Sequence, residues 1–105
     1  MARTPNGRIG VYLVGAFGGV ATCTVAGAAL FSKGLARPTG LVTEGPLFRG
    51  IPLAPIPSLV FGGCDVRKTD AWTSACEFAK STGLPDTALL AAVRGDLKAF
   101  SARVG

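Results

Sequence analysis

The chain has 105 residues, enough for one small domain, and its 49% hydrophobic and 16% charged residues exclude a disordered chain. The formal net charge is +5, but the 11 Lys and Arg residues form no run, so a nucleic-acid stripe is poorly supported and no nucleic-acid partner is expected. Histidine is absent, which excludes imidazole acid–base chemistry and imidazole metal ligation within this chain.

The N-terminal third is predicted to form a strand, a glycine turn and a helix. Residues 1–8 are polar and indicate a flexible lead-in, so the domain is assigned to residues 9–105. An apolar run of β-forming residues ends at Val14 and predicts a buried strand. Small residues follow the turn and predict a helix over residues 18–33, which Gly34 would cap.

The same stretch supports a competing interpretation. Residues 9–32 carry no charge and are long enough to span a bilayer, so a small membrane-anchored or secreted protein is an alternative. Against it, the stretch divides into β-formers and then small residues. Each glycine also costs a continuous helix about 1 kcal/mol relative to alanine. We therefore expect no membrane association.

The middle of the chain predicts two more strands. Residues 39–44 are apolar at their centre and predict the second strand, and residues 45–58 hold four prolines, which require an extended loop. Residues 59–61 predict the third strand, which ends in Gly62-Gly63-Cys64-Asp65. The predicted fold is α/β and Rossmann-type, with a partial parallel three-stranded sheet in the order 3-2-1 and packed helices.

Two helices are predicted to close the chain. Thr69 or Asp70 would cap the first, which would end before Gly83, and Asp86 would cap the second. The second helix carries an apolar stripe of Leu89, Val93, Leu97, Phe100 and Val104, which is ordinary core packing. The cysteines Cys23, Cys64 and Cys76 show no C-x-x-C spacing and indicate reduced thiols in a cytoplasmic protein, without a metal site.

The glycine turn predicts a phosphate site. A helix that opens directly after a strand presents unpaired N–H groups and a partial positive charge to an anion. Gly15 permits the exit from the strand, Gly18 lets the backbone approach a diphosphate, and Ala21 keeps the first turn thin. The spacing is G-x-x-G-x-x-A because Phe17 occupies the central position of the commoner G-x-G-x-x-G. The predicted cofactor contacts are Gly15, Ala16, Phe17, Gly18, Gly19, Val20, Ala21 and Thr22.

A ribose acceptor is expected at the carboxyl end of a neighbouring strand. Asp65 follows the third strand, and ligands of open α/β sheets lie beyond the carboxyl ends of strands. The alternative is that Asp65 caps the following segment or pairs with Arg67. Glu44, at the end of the second strand, is a rival acceptor that ranks level with Asp65 or below it, because it lies later after Gly15 than is usual.

The segments V-Y-L-V-G-A-F-G-G-V-A-T-C-T and L-V-F-G-G-C-D-V resemble the myo-inositol phosphate synthase family. That family carries a G-x-G-G-N-N-G-S-T fingerprint after its first strand and an S-G-W-D-I segment further on. Residues that match are Gly15, Gly18, Ala21, Thr22, Gly63, Asp65 and Val66. Phe17 departs from the central glycine, Gly19 and Val20 from the asparagine pair, and Cys64 from the tryptophan, which implies a divergent bacterial-type branch with a backbone-only grip on phosphate.

The resemblance implies an NAD cofactor and an activity. Members of the family convert glucose 6-phosphate to inositol phosphate, for inositol and phospholipid biosynthesis, and their catalytic lysines belong to a later part of the protein. No catalytic residue is therefore assigned here, and the lysines of this chain are expected to be surface charges. The chain is expected to be a fragment that is inactive alone and needs the missing substrate domain or a second chain. The full-length protein would be a homo-oligomer, and a non-catalytic nucleotide-binding domain is the remaining alternative.

Overall fold

The computed structural model of the chain describes residues 8–36, 46–48, 50, 55–83 and 87–105. Its strands are β1 (Ile9–Val14) and β2 (Leu59–Cys64), and its helices are α1 (Gly19–Ser32), α2 (Ala71–Thr82), α3 (Thr87–Ala92) and α4 (Arg94–Ala102). Short 3-10 turns cover Pro46–Phe48 and Ile56–Ser58.

The two strands form a parallel sheet in which Ile9 lies opposite Leu59 and Val14 lies opposite Cys64. The architecture is mixed α/β, as predicted. The predicted order 3-2-1 is wrong, because β1 pairs directly with the predicted third strand along its whole length and leaves no place for a strand between them. Residues 39–44, including Glu44, lie outside the described residues.

Gly63 allows the close pairing of β1 and β2. Its φ of 154° is one that residues with side chains rarely adopt, and a Cβ at this position would run into the backbone of Leu13. The opposite edge of β2 carries the C-terminal residues. Val104 forms a parallel bridge to Gly63, and the N–H of Gly105 donates to the Gly63 carbonyl at 2.9 Å.

The hydrophobic core lies on one face of the sheet. Helices α1, α2 and α4 pack against one another there, around the buried Phe61, Leu97 and Phe100. The opposite face of β1 is largely open, since Tyr12 is 70% and Val14 is 83% exposed. The described residues thus form one helical layer on a two-stranded sheet, and the glycine turn lies at the carboxyl end of that sheet.

The predicted helices before residue 83 are confirmed. Helix α1 has Gly18 as its N-cap and is followed by Gly34 with a φ of 71°. The Asp70 carboxylate caps α2 by accepting a hydrogen bond from the Thr73 N–H at 2.7 Å. Gly83 closes α2 in the left-handed conformation.

The predicted final helix is instead two helices. The chain turns at Val93, whose N–H donates to the Leu90 carbonyl at 3.0 Å, and α4 begins at the next residue. Leu90 is fully buried, while Leu89, which the predicted stripe contained, is 37% exposed. Asp86, the predicted cap, lies outside the described residues.

The uncharged residues 9–32 divide into β1, the glycine turn and α1. In the described part of the chain, no helix combines the length and the apolar character needed to cross a membrane.

Candidate functional site at the glycine turn

The glycine turn is fastened to the carboxyl end of β2. Gly15 has a φ of 80°, which turns the chain sharply out of β1. The N–H groups of Gly15 and Ala16 both donate to the Cys64 carbonyl, at 2.9 and 3.0 Å, and the Gly18 N–H donates to the Gly15 carbonyl at 2.9 Å. These bonds fix where α1 begins.

Asp65 joins the end of β2 to the same turn. Its Oδ2 accepts a hydrogen bond from the Phe17 N–H at 2.8 Å, and its Oδ1 accepts one from the Arg67 N–H at 2.8 Å. These backbone N–H groups, of Arg67 first and then of Phe17, lower the pKa of the Asp65 carboxyl, and the charge of Arg67 lowers it further. The carboxyl ends of β1 and β2 therefore lie together, as expected, and Asp65 is hydrogen-bonded to the glycine turn.

Arg67 holds the other side of the Phe17 peptide. Its Nη1 donates to the Phe17 carbonyl at 3.1 Å. The backbone of Phe17 is therefore hydrogen-bonded on both sides, through its N–H to Asp65 and through its C=O to Arg67. The sequence had suggested Arg67 only as an ion-pair partner for Asp65, and the Arg67 guanidinium instead lies against the turn.

Several predicted contact residues face the interior of the protein. Ala16 is fully buried, and Phe17 is 7% exposed. The Thr22 side chain is also fully buried, and its hydroxyl donates to the Gly18 carbonyl at 2.9 Å within α1. The outward-facing part of the turn is therefore mainly backbone.

The first turn of α1 keeps free hydrogen-bond donors. The Thr22 N–H donates to the Gly18 carbonyl. The N–H groups of Gly19, Val20 and Ala21, which precede it in the helix, have no hydrogen-bond acceptor among the described residues. Helix α1 has no acidic residue in its first turn and no side-chain cap, so nothing within the helix neutralises this positive end. Val20 is 85% exposed, which leaves the approach to these donors open.

A tyrosine and a cysteine lie near the same edge of the sheet. A hydrogen bond with Cys64 raises the pKa of the Tyr12 hydroxyl. Cys23, Cys64 and Cys76 are all free thiols. Burial raises the pKa of the Cys23 thiol, so at neutral pH this group stays protonated.

Comparison with known proteins gives one informative match. No family model matches the chain. Inositol-3-phosphate synthase 1 of Bacteroides thetaiotaomicron is 35% identical to it over an alignment 84 positions long, which covers 70% of this chain and 20% of that protein. The chain is thus distantly related to that family and spans about a fifth of the length of the curated relative that it matches.

Proposed function

We propose that this chain is the NAD-binding portion of an enzyme of the inositol phosphate synthase type. The observation that carries the proposal is the set of free N–H groups of Gly19, Val20 and Ala21, which open α1 directly after β1. They would bind the cofactor diphosphate, because N–H groups at a helix N-terminus attract anions. The distant relationship to an inositol-3-phosphate synthase supports the choice of cofactor.

The residues of the turn suit this group. Gly18 has only backbone to present to a diphosphate, and the hydrogen bonds from Gly15 and Ala16 to Cys64 fasten the turn to the end of β2 before a ligand arrives. When bound, NAD would supply hydride transfer for the enzyme. The role of this chain would be to bind and orient the cofactor, in a Rossmann-type domain that is completed by further strands.

For the ribose we propose Asp65 as an acceptor through the lone pairs that its two backbone hydrogen bonds leave free. Each Asp65 oxygen already accepts one N–H, so holding the turn is its first role. Glu44 is the rival acceptor, and mutating each of the two carboxylates in turn would distinguish them.

The overall reaction belongs to a larger assembly in this proposal. Conversion of glucose 6-phosphate to inositol phosphate, in a cytoplasmic enzyme of inositol and phospholipid biosynthesis, would need a substrate domain or a second chain that supplies the catalytic lysines. The open face of β1, with Tyr12 and Val14 exposed, gives such a partner an apolar surface to cover. We also propose that the full-length protein forms a homo-oligomer.

NAD titration of the 105-residue chain tests the proposal. Trp72 fluorescence and the melting temperature are followed up to millimolar NAD, with nicotinamide riboside, which has no diphosphate, as the control ligand. We expect a saturable change with NAD and none with the control. A chain that is folded by circular dichroism and does not respond to millimolar NAD would refute the proposal.

A further inference from the structure

The side of β1 that faces away from β2 carries backbone groups without partners. The Gly15 N–H donates to the Cys64 carbonyl, so the odd-numbered residues of β1 direct their N–H and C=O groups towards β2. Successive residues of a strand point these groups to opposite sides. Those of Gly10, Tyr12 and Val14 therefore point away from β2, and no strand among the described residues pairs with them. These three residues form the free edge of the sheet.

The other edge of the sheet is closed by the chain itself. The Gly63 N–H donates to the Arg103 carbonyl, and the Gly105 N–H donates to the Gly63 carbonyl, as in a parallel ladder. The Arg103 Nε donates to the Phe61 carbonyl at 2.6 Å, farther back along the same side of β2. This side of β2 is thus occupied at Phe61 and Gly63. The described part of the sheet can therefore grow at the free edge of β1.

The free edge has none of the features by which proteins block an edge strand. Exposed edges usually carry lysine, proline or a bulge, each of which hinders pairing with another chain. Strand β1 has the sequence I-G-V-Y-L-V, without a charge or a proline, and it pairs with β2 in unbroken register. Gly10, Tyr12 and Val14 are all exposed. An edge of this kind readily accepts another strand.

The connections of the sheet argue against a parallel strand from this chain at the free edge. The connection from β1 to β2 contains α1, and that from β2 to Val104 contains α2 to α4, with all these helices around one core. Both connections step in the same direction across the sheet, and such steps are right-handed in nearly all parallel sheets. A strand after α1 that paired in parallel with the free edge would step the opposite way, as a left-handed crossover. We therefore look for the occupant outside this chain.

A second copy of β1 matches the free edge about a two-fold axis at Tyr12. In an antiparallel pair centred there, Tyr12 faces the same residue of the other copy, and Gly10 faces Val14. Residues in such pairs exchange N–H···O=C hydrogen bonds in both directions. Every unpaired group of the free edge would thus gain a partner, and the two copies would use the same surface, as a two-fold interface requires.

The charges of the chain favour pairing through β1. The net charge of +5 makes two copies repel each other, but residues 9–32 carry no charge. Arg8 precedes β1, and the antiparallel register brings it level with Ala16 of the other copy. That residue lies in the glycine turn, to which the Asp65 carboxylate is hydrogen-bonded through the Phe17 N–H. Opposite charges therefore lie at the two ends of the contact, and none lies within it.

We propose that two copies of this chain pair antiparallel through the free edge and form one continuous sheet in the order β2-β1-β1-β2. The helices of both copies lie on the same face of that sheet, because a two-fold axis perpendicular to the sheet keeps its two faces distinct. The proposal does not depend on NAD binding, since it uses the edge of β1 and not the start of α1.

A proline at Gly10 tests the pairing. Gly10→Pro removes an outward N–H and no hydrogen bond to β2, and proline is tolerated at an open strand edge. Gly10→Ala is the matched control, because it keeps the N–H and its Cβ would meet nothing within 4 Å. We expect sedimentation velocity to show a monomer–dimer equilibrium for wild type and Gly10→Ala. The dissociation constant of Gly10→Pro should be at least about tenfold higher.

Two results of this experiment would overturn the proposal. One is an equal dissociation constant for Gly10→Pro and Gly10→Ala, both folded by circular dichroism. The other is a folded wild-type chain that stays monomeric up to about millimolar concentration. A monomer that binds NAD would retain the proposed function and lose this interface, and a dimer that does not bind NAD would do the reverse.

Amide hydrogen exchange of the wild-type chain identifies the occupant without any substitution. The Val11 and Leu13 N–H groups face β2 and should be protected at every protein concentration. Those of Tyr12 and Val14 should become protected only as the dimer forms. Protection of Tyr12 and Val14 in a monomer would show that the chain covers its own edge, and a dimer that leaves them unprotected would place the contact elsewhere. Either result would overturn the proposal.

Discussion

At the scale of single residues, Asp65 ties two distant parts of the chain together. Its hydrogen bond to the Phe17 N–H crosses 48 positions of sequence, so no local spacing could reveal it. The sequence did place Asp65 at the correct strand end, because polar residues after a parallel strand collect at one edge of the sheet. It could not show that the carboxylate would bond to the turn or that Arg67 would contact the same peptide.

Asp65 makes stability depend on pH in a defined direction. The pKa of the Asp65 carboxyl in the folded chain is below its unfolded value of about 3.9. The contribution of Asp65 to the free energy of unfolding is therefore complete above that pH and is lost as the pH falls through the folded pKa. Asp65→Asn should melt at a lower temperature than wild type at neutral pH, and the gap should narrow in acid. Thermal melts from neutral to acid pH measure the gap, and a gap that stays constant throughout would contradict this role.

Two serines, buried Ser74 and half-buried Ser101, give opposite expectations for stability. Ser74→Ala removes an unpartnered hydroxyl and should leave the free energy of unfolding unchanged or raise it by up to about 1 kcal/mol. Ser101→Ala is the matched control, because Ser101 Oγ accepts from the Ala71 N–H at 2.9 Å and donates to the Leu97 carbonyl at 3.1 Å. It should lower that free energy by about 1–3 kcal/mol. Urea unfolding measures both, and equal losses would show that Ser74 has a partner.

At the scale of elements, local signals located α1 and α2 well. Glycines at or just after the helix ends, the Asp70 cap and the change from β-formers to small residues act within a few positions, which is the range that sequence patterns report. The break at Val93 was missed because the apolar stripe continues through it. The strand order was wrong because pairing depends on contacts across the chain, including the glycine approach at Gly63.

The small residues of α1 permit a close helix contact. A Cβ on Gly19 would lie 2.7 Å from Cε2 of the Phe78 ring, whereas a Cβ on Gly27 would meet nothing within 4 Å. Gly19→Val should therefore lower the free energy of unfolding by about 1–3 kcal/mol, as overpacking does. Gly27→Val should be neutral or slightly stabilising.

Urea unfolding of both glycine variants tests this contact. Adding Phe78→Ala to Gly19→Val should recover part of the loss, because it removes the ring that the valine meets. Equal effects of the two valine substitutions would mean that the start of α1 does not pack on α2 as described.

At the scale of the whole molecule, the described residues cover one face of the sheet, while Tyr12 and Val14 on the other face are exposed. The chain spans about a fifth of the length of the related synthase. Composition predicted a packed core, and the helices supply one. Composition could not indicate which sheet face would stay exposed, because composition carries no information on the side of the strands against which the helices pack.

The open face should make the isolated chain self-associate. Tyr12 and Val14 are neighbours on it, and replacing both with lysine should reduce association without lowering the melting temperature, since neither side chain is in the core. Val66→Lys is the control, because Val66 is 98% exposed and lies outside the strands. Light scattering after size-exclusion chromatography measures the mass. Association that survives the lysine pair would place the contact elsewhere.

The central claim is that the start of α1 binds the cofactor diphosphate, and NAD titration of Val20→Asp against Thr24→Asp tests it most directly. Both side chains are exposed, but only Val20 lies in the first turn, where a carboxylate would repel phosphate while stabilising the helix. We expect Val20→Asp to weaken NAD binding at least about tenfold, a loss of about 1.4 kcal/mol, with no fall in melting temperature. Thr24→Asp should stay close to wild type. Equal NAD affinity in the two variants would contradict the account.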